Sequence, residues 1–532
     1  MNVPARDARA FKNPHIKTPL PGPNSRAMIE RDVKVTSPSY PRDYPFAMSH
    51  GRGTEAWDVD GNRFLDFAAG IAVCATGHAH PRVVKAVQEA AGKFLHISSD
   101  YWHEEMTALA ERLSAIAPFG EPGMAFFCQS GTESVEGALK LARYVTKRGR
   151  IIAFLGSFHG RTMGSLSLTS SKYTQQAGFF PTMPGVTHEP YPNSYRPLFA
   201  GGDQGKAVLD YIRMLFDRNL PPSELAAIVI EPLQGEGGYL VPPPGFLPGL
   251  RQLCDEHGIL LVFDEVQSGI GRTGKMFCAE HEGVAPDIMT LAKGLASGLP
   301  IGAVLAKSSL MKQWKKGAHG NTFGGNPVSC AAANATIDLV REQYAANAAK
   351  VGAHFMKRLH EMKADYPCIG DIRGRGLMIG VEMIEQDGSP ARTMVDRLLH
   401  RAYQNGLLLL SCGVSTLRFM PPLCVSEAEV DEALTYLRQS LDEALAGQAC
   451  GRPPVPCSPS RPCWPRGQRR GPGGSQSSRR SRCRTAITGA SCTSRSSPRV
   501  RHRSRSCRRA RSSCTAWTAR SGGRPSARPS PS

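Results

Sequence analysis

The sequence predicts an α/β chain: a mostly parallel sheet flanked by helices, followed by a smaller α+β segment. Three observations carry that prediction. Strand-like apolar runs alternate with helical patterns between residues 124 and 263. The run 259–263, Ile-Leu-Leu-Val-Phe, is apolar throughout, as a strand covered on both faces must be. A carboxylate, Asp264, then closes the run at its C-terminal end, where open parallel sheets bind ligands.

The elements follow in order. Residues 1–50 are rich in Pro and turn formers and read as an extended arm. Residues 55–66 alternate around Asp60-Gly61 and predict a hairpin. Helical patterns occupy 81–96 and 102–116. A strand over 124–128 precedes a helix over 133–147, and a strand over 150–155 follows. A strand over 226–230 precedes a helix over 245–257, which Gly258 closes as a C′ residue, and the run 259–263 follows. From about residue 330 a long helical stretch leads into the α+β segment, which ends near Ala446. The division is an N-terminal arm (1–50), the N-terminal part of a small domain (51–75), a large domain (76–335), the C-terminal part of the small domain (336–447) and a tail (448–532).

The formal charge of +20 invites a nucleic-acid reading, but the charge is not spread over the chain. The tail holds 20 Arg and no Lys, Asp or Glu, so residues 1–447 carry 45 basic against 45 acidic side chains. Without Leu, Phe or Tyr the tail cannot build a core and is expected to be disordered. Its alphabet and abrupt start are those of an out-of-frame end of GC-rich DNA. A basic arm that binds nucleic acid through phosphates is the alternative, and the only nucleic-acid partner the chain offers. Seven of the 15 Cys lie in this tail. The other eight (Cys74, Cys128, Cys254, Cys278, Cys330, Cys368, Cys412 and Cys424) lack metal-ligand spacing and read as reduced core residues, with no metal site. Residues 1–17 are polar, with no signal-peptide core, and no apolar run reaches membrane-spanning length. These features predict a cytoplasmic protein without a membrane partner.

Four places carry chemistry. Asp264 has an apolar lead-in that limits its solvation, and Lys293 follows downstream between Ala292 and Gly294. A carboxylate that holds a pyridine nitrogen protonated, with a lysine able to form a Schiff base, is the minimum equipment for pyridoxal phosphate chemistry. Cys128-Gln129-Ser130-Gly131-Thr132-Glu133 lies between a strand and a helix. Ser130 and Glu133 have capping-box spacing, and a helix N-terminus beside glycine also suits a phosphate. In Ser157-Phe158-His159-Gly160-Arg161-Thr162, Phe158 can stack on a flat ring and Arg161 offers a planar fork for a carboxylate. Gly269-Ile270-Gly271-Arg272-Thr273-Gly274 matches a dinucleotide fingerprint, but Asp264 and Glu265 precede it at the strand end and would repel a pyrophosphate. A nicotinamide dehydrogenase is rejected on that ground.

Several stretches together resemble the class III aminotransferases, most closely 4-aminobutyrate aminotransferase. They are the run from Gly131 to Arg143, Phe158-His159-Gly160-Arg161-Thr162, Ile230-Glu231-Pro232 through Gly238, the run from Asp264 to Gly269, Lys293, and the run from Thr322 to Pro327; the likeness covers roughly residues 35–445. The resemblance implies a fold type I, pyridoxal 5'-phosphate-dependent transferase. It implies that Lys293 and Asp264 are catalytic, Lys293 as the Schiff-base lysine and Asp264 as partner of the ring nitrogen. Gly131, Thr132, Phe158, His159 and Gln267 would bind the cofactor, joined by Thr322 from the neighbouring subunit of a homodimer with shared active sites. Ile71, Arg161, Glu236 and Arg418 would meet the substrates. The reaction implied is ping-pong transamination, through pyridoxamine phosphate, of an ω-amino acid such as 4-aminobutyrate with 2-oxoglutarate. Acetylornithine or ornithine aminotransferases and amino-acid racemases or epimerases of the same family are the alternatives.

Overall fold

The computed structural model describes Asn13 and residues 15–449. The tail reading falls outside the described residues from 450 onward, as does the arm before Asn13. Within the arm the chain is not extended throughout: a helix spans Pro23–Asp32, with proline at its first turn. Gly22 gives it no side-chain cap. The Asp60 carboxylate does so from the hairpin turn, accepting the Asn24 and Ser25 amides at 2.8 Å each.

Strands β1 (Met48–Arg52), β2 (Glu55–Asp58) and β3 (Arg63–Asp66) form the antiparallel hairpin region. Asp58 organises the predicted turn, its Oδ1 accepting the amides of Asp60 and Asn62 while Gly61 adopts φ +82°. The large sheet contains β4 (Gly123–Cys128), β5 (Arg150–Phe154), β6 (Val186–Glu189), β7 (Leu225–Ile230), β8 (Leu260–Asp264), β9 (Ile288–Leu291) and β10 (Gly302–Lys307). Their order is β4-β10-β9-β8-β7-β5-β6. All neighbours run parallel except β10, which is antiparallel to both β4 and β9. Strands β11 (Ile369–Arg375), β12 (Met378–Met383), β13 (Leu407–Leu408), β14 (Leu410–Cys412) and β15 (Thr416–Phe419) follow. Four of them form an antiparallel sheet, β11-β12-β15-β14, while β13 pairs in parallel with β3.

The period-2 alternation of the large-sheet strands divides their side chains between two cores. Ile152, Ile228, Leu261, Phe263 and Met289 join one, with Phe246, Leu250 and Leu253 of the helix Phe246–His257. Ala153, Ala227, Val229, Val262 and Ile288 join the other, with Val135, Leu139 and Leu141 of the helix Gly131–Thr146. Helices thus cover both faces.

Element boundaries differ from expectation where caps decide them. The helix from residue 81 stops at Ala91, with Gly92 closing it. The next runs over Glu104–Ile116, with the His103 side chain accepting the Met106 amide. Gly258 caps its helix in the left-handed conformation, as predicted. The long helical stretch is two helices, Pro327–Leu339 and Ala345–Asp365, joined by a π turn over Val340–Tyr344. Not all cysteines are core: Cys74, Cys368 and Cys424 are half-buried, though all eight are free thiols. Among the described residues no group of side chains has metal-binding geometry, and no helix is long and apolar enough to cross a membrane.

Candidate active site

Asp264 is the last residue of β8 and is almost fully buried. Its Oδ1 accepts the Val266 amide and the Thr290 hydroxyl, both at 3.0 Å, and its Oδ2 meets His159 Nδ1 at 2.7 Å. Burial works against a charge on His159, but the Asp264 carboxylate outweighs it and raises the imidazole pKa. The other ring nitrogen, Nε2, is buried without a partner. The His159 and Gly160 amides both donate to Thr169 Oγ1, at 2.9 and 3.2 Å, which fixes the turn after β5.

Lys293 follows β9 by two residues and holds φ +34°, a left-handed conformation that costs a residue with a Cβ about 1–3 kcal/mol. Strain of this kind is retained where the surroundings over-determine it, as they do at working sites. Desolvation lowers the Lys293 pKa, while Asp264, Glu236 and Glu231 oppose the shift. Those same electrostatic partners place the lysine among the strand-end carboxylates.

The helix Gly131–Thr146 aims its N-terminus at this group. Ser130 caps it, accepting the Glu133 amide at 3.3 Å. The reciprocal bond of a capping box is displaced by one residue: Glu133 Oε2 accepts the Gln129 amide at 2.8 Å, together with the Ser130 hydroxyl. A Cβ on Gly131 would lie 2.9 Å from Val266 Cγ1 and 3.6 Å from Ala292 Cβ, so this helix end touches both the Asp264 loop and the neighbour of Lys293. First-turn amides have no acceptor within a helix, which suits this helix end to an anion. The Thr132 hydroxyl is already engaged, by Ser165 Oγ at 2.6 Å, Thr162 Oγ1 at 2.8 Å and the Arg161 and Thr162 amides, so its backbone remains the free donor.

Gln267 is buried and oriented by Tyr239, whose hydroxyl donates to its Oε1 at 2.7 Å. Glu236 and Arg418 form an ion pair on nearly buried side chains, and Lys172 Nζ lies 3.8 Å from the other Glu236 oxygen. Burial would raise the Glu236 pKa, but Arg418 and Lys172 outweigh it and hold the carboxyl below its ordinary value. Arg373 fixes the loop carrying Glu236 with two bonds to the Gly238 carbonyl, at 2.9 and 2.7 Å. Phe158 is half-buried, with the Arg161 guanidinium 5.5 Å from its ring centre; Arg161 itself is exposed. Ile71 is 43% exposed in a turn where Ala69, Gly70, Ile71 and Ala72 all have positive φ. Thr322 is exposed in a loop of this single chain, and no contact brings it to Lys293.

Sequence reasoning missed Lys172, Tyr239 and Glu231. Glu231 is buried beside the turn, accepting the Gly235 amide at 3.1 Å and the Phe158 amide at 3.3 Å, and burial pushes its pKa up to about 7. Glu231 and Tyr239 lie in or next to the quoted Gly-rich motif and were findable there; nothing in the pattern marks Lys172. The dinucleotide-like motif is correctly set aside. Residues 269–274 form turns, followed only by the four-residue 3-10 helix Cys278–His281, while Glu265 spends its oxygens on Ser268 and on the Cys278 and Ala279 amides.

These residues fit pyridoxal phosphate on their own chemistry: a fixed strand-end carboxylate, a desolvated lysine, an orphaned imidazole nitrogen and an open helix N-terminus at one place. Comparison with known proteins agrees. The sequence model described as Aminotransferase class-III matches residues 37–441. An alanine/serine racemase of Pyrococcus horikoshii is 39% identical, covering 82% of this chain and 94% of its own. An acetylornithine aminotransferase of Caldanaerobacter subterraneus subsp. tengcongensis is 40% identical, over 78% of this chain and 99% of its own. The 5-aminovalerate aminotransferase DavT of Pseudomonas aeruginosa is 38% identical, over 75% and 94%. Among solved structures, a PLP-bound amine transaminase from an uncultivated Pseudomonas species superposes with a TM-score of 0.71 at 30% identity, covering 77% of this chain and 98% of that one. The chain belongs to the class III aminotransferases, a pyridoxal-phosphate-dependent family with an α/β fold of type I.

Proposed function

We propose that this enzyme transfers the amino group of an ω-amino acid resembling 4-aminobutyrate to 2-oxoglutarate. One observation carries the reading: the nearly buried Glu236–Arg418 pair, within electrostatic reach of Lys293. An ω-amino acid has no carboxylate beside its reacting carbon, so a bare Arg418 would be left unpaired and buried, at a cost of several kcal/mol. Glu236 neutralises it. When 2-oxoglutarate binds, its carboxylate next to the keto carbon takes Glu236's place, and Arg161, which has no ion pair among the described residues, receives the distal carboxylate.

In this reading Lys293 would hold the cofactor covalently, Asp264 would face its ring nitrogen, and His159 supports Asp264. Phe158 would stack on the ring, Gln267 would meet its hydroxyl side, and Gly131 and Thr132 would hold the phosphate with their amides. When bound, the cofactor supplies an electron sink for the carbon that bears nitrogen. Once a substrate amine has taken its place on the cofactor, the freed Lys293 Nζ would take the proton from that carbon as a general base. The hydrogen bonds to Asp264 keep its negative charge aimed at the ring nitrogen, and Ile71 lines the entrance.

We further assign a homodimer, a cytoplasmic setting, and the division into small (51–75 and 336–447) and large (76–335) domains. Support for the dimer is an exposed apolar patch: Leu95 is 73% and Trp102 95% exposed. Asn326 Nδ2 and His103 Nε2 tie these segments to the 322–327 loop, by bonds to the Leu95 and Gly325 carbonyls at 2.8 Å each. A second copy on this patch would bring its own Thr322 loop to the neighbouring site.

The racemase relative sustains a second reading, because it is 39% identical over 447 residues. One experiment tests both. Holoenzyme is mixed with 4-aminobutyrate, acetylornithine, alanine or serine and no keto acid. Transamination bleaches the cofactor's visible absorbance with an ω-donor; racemisation leaves it and changes the optical rotation of alanine or serine. Absence of bleaching with every ω-donor would end the proposal.

A further inference from the structure

When a substrate carboxylate takes Arg418, as in the reading above on which this inference rests, Glu236 must turn elsewhere. Its side chain is 14% exposed, and a carboxylate left unpaired at that depth is costly. The backbone cannot carry it away. The Glu236 carbonyl accepts the Gly413 amide at 2.7 Å, and the glycines on either side are wedged. A Cβ on Gly235 would lie 2.5 Å from Gln267 Nε2, and one on Gly237 would lie 2.7 Å from the Gly156 carbonyl oxygen. Only the side chain of Glu236 is free to turn.

A second cation stands at its other oxygen. Arg418 Nη1 holds Oε1, while Lys172 Nζ lies 3.8 Å from Oε2. That spacing is an ion pair with slack, and about 1 Å of movement would close it to a charge-assisted hydrogen bond. Among the described residues Lys172 has no other ion-pair partner. Its backbone is fixed by the same segment that fixes the turn carrying Phe158 and His159. Thr169 Oγ1 takes the His159 and Gly160 amides, and the Ser170 amide donates to the Ser157 carbonyl at 2.8 Å. The Ser170 hydroxyl donates to the Phe154 carbonyl at 3.0 Å and accepts the Gly156 amide at 3.1 Å. Lys172 follows two residues later in extended backbone, φ −148°.

Arg418, Lys172 and Glu236 together are two cations and one carboxylate, one anion short of balance. We propose that Lys172 is a positioning residue of the keto-acid half-reaction, which receives Glu236 when the carboxylate beside the keto carbon displaces it from Arg418. With an ω-amino donor, Glu236 stays on Arg418. With 2-oxoglutarate, Arg418 pairs with the substrate and Glu236 with Lys172. Every charge has a partner in both states, and the incoming carboxylate supplies the missing anion. Lys172 acts through Glu236 and touches no substrate.

The test compares the parent holoenzyme with Lys172→Met, which keeps the length of the side chain and drops its charge. The Lys172 side chain is 36% exposed, so water relieves part of the loss. Calorimetric titration with 2-oxoglutarate, before any donor is added, should show Kd weakened about tenfold. The ratio of kcat/KM for glutamate over 4-aminobutyrate should fall about tenfold, opposite in direction to the rise expected of Glu236→Ala. Lys172→Arg should bring both back to within about threefold of the parent. In a Glu236→Ala background no carboxylate remains to be received, so Lys172→Met should move the ratio less than about twofold. A lysine that bound the substrate itself would keep its full effect there. Where Glu236→Ala alone shifts the ratio, an unchanged ratio in Lys172→Met, or an equal fall in the Glu236→Ala background, overturns the proposal. Where Glu236→Ala alone shifts nothing, the reading of the Glu236–Arg418 pair has failed and takes this inference with it.

Discussion

Replacing Glu236 with Ala removes one carboxylate and leaves Arg418 in place. The Arg418 side chain is 6% exposed and its Nε already lacks a partner, so water cannot restore what Glu236 supplied. Lys172, 3.8 Å from the lost carboxylate, adds to the uncompensated positive charge. Breaking a buried pair in this way costs about 3–5 kcal/mol. The cost falls unequally on substrates. A 4-aminobutyrate-like donor binds with Arg418 still bare and bears all of it, whereas glutamate brings a carboxylate to the vacated place and recovers most of it. Taking about 3 kcal/mol as the difference, the ratio of kcat/KM for glutamate over 4-aminobutyrate should rise about a hundredfold. Single-turnover bleaching of the cofactor absorbance by each donor reads the ratio directly, without the second substrate. Glu236→Gln, which keeps the volume but not the charge, should shift the ratio the same way. A change of less than about threefold in both variants would refute the reasoning, since 1.4 kcal/mol corresponds to tenfold.

Lys293→Ala should abolish turnover and the cofactor's visible absorbance while leaving the fold intact by circular dichroism; retention of either would remove Lys293 from its role. Glu189 is buried, one of its oxygens has no partner, and burial raises its pKa from 4.5 to about 7. Its folded-state value lies above the unfolded one, so its contribution is complete below about pH 4.5 and lost as pH rises through about 7. Glu189→Gln should therefore gain up to about 3 kcal/mol relative to the parent between pH 5 and pH 8, read from urea unfolding at each pH. Gly160 has φ +139°, and a Cβ there would overlap the Thr132 and Ser165 hydroxyls. Gly160→Ala should destabilise by at least about 2 kcal/mol and speed cofactor release, measured by Tm and by dialysis of the holoenzyme.

What the sequence disclosed and what it hid divide along one physical line. Asp264 was legible because an apolar run must end somewhere, and the end of a parallel strand is where a charge finds ligand rather than core. Gly131 was legible because a helix N-terminus is written in consecutive residues, although the cap itself slipped by one, with Glu133 taking the Gln129 amide. Arg418 and Glu236 stood out only through resemblance, since 182 residues separate them. Contacts without a local signature were invisible. Lys172 reaches Glu236 from a loop no pattern marks, Tyr239 orients Gln267 across 28 residues, and Asp60 caps a helix 35 residues upstream. The pairing of β13 with β3 is of the same kind: two residues, Leu407 and Leu408, complete the sheet of a hairpin at the other end of the chain. Such contacts are selected by tertiary packing, which rewards a side chain for where the fold has carried it and leaves no periodicity behind. The charges proposed to govern specificity belong to this second class. Arg418 is useful because it is buried, burial makes an unpaired cation costly, and the partner that relieves it comes from wherever the fold brings a carboxylate. Chemistry common to the family is therefore readable in runs of neighbours, while the proposed choice of donor rests on a contact between distant residues.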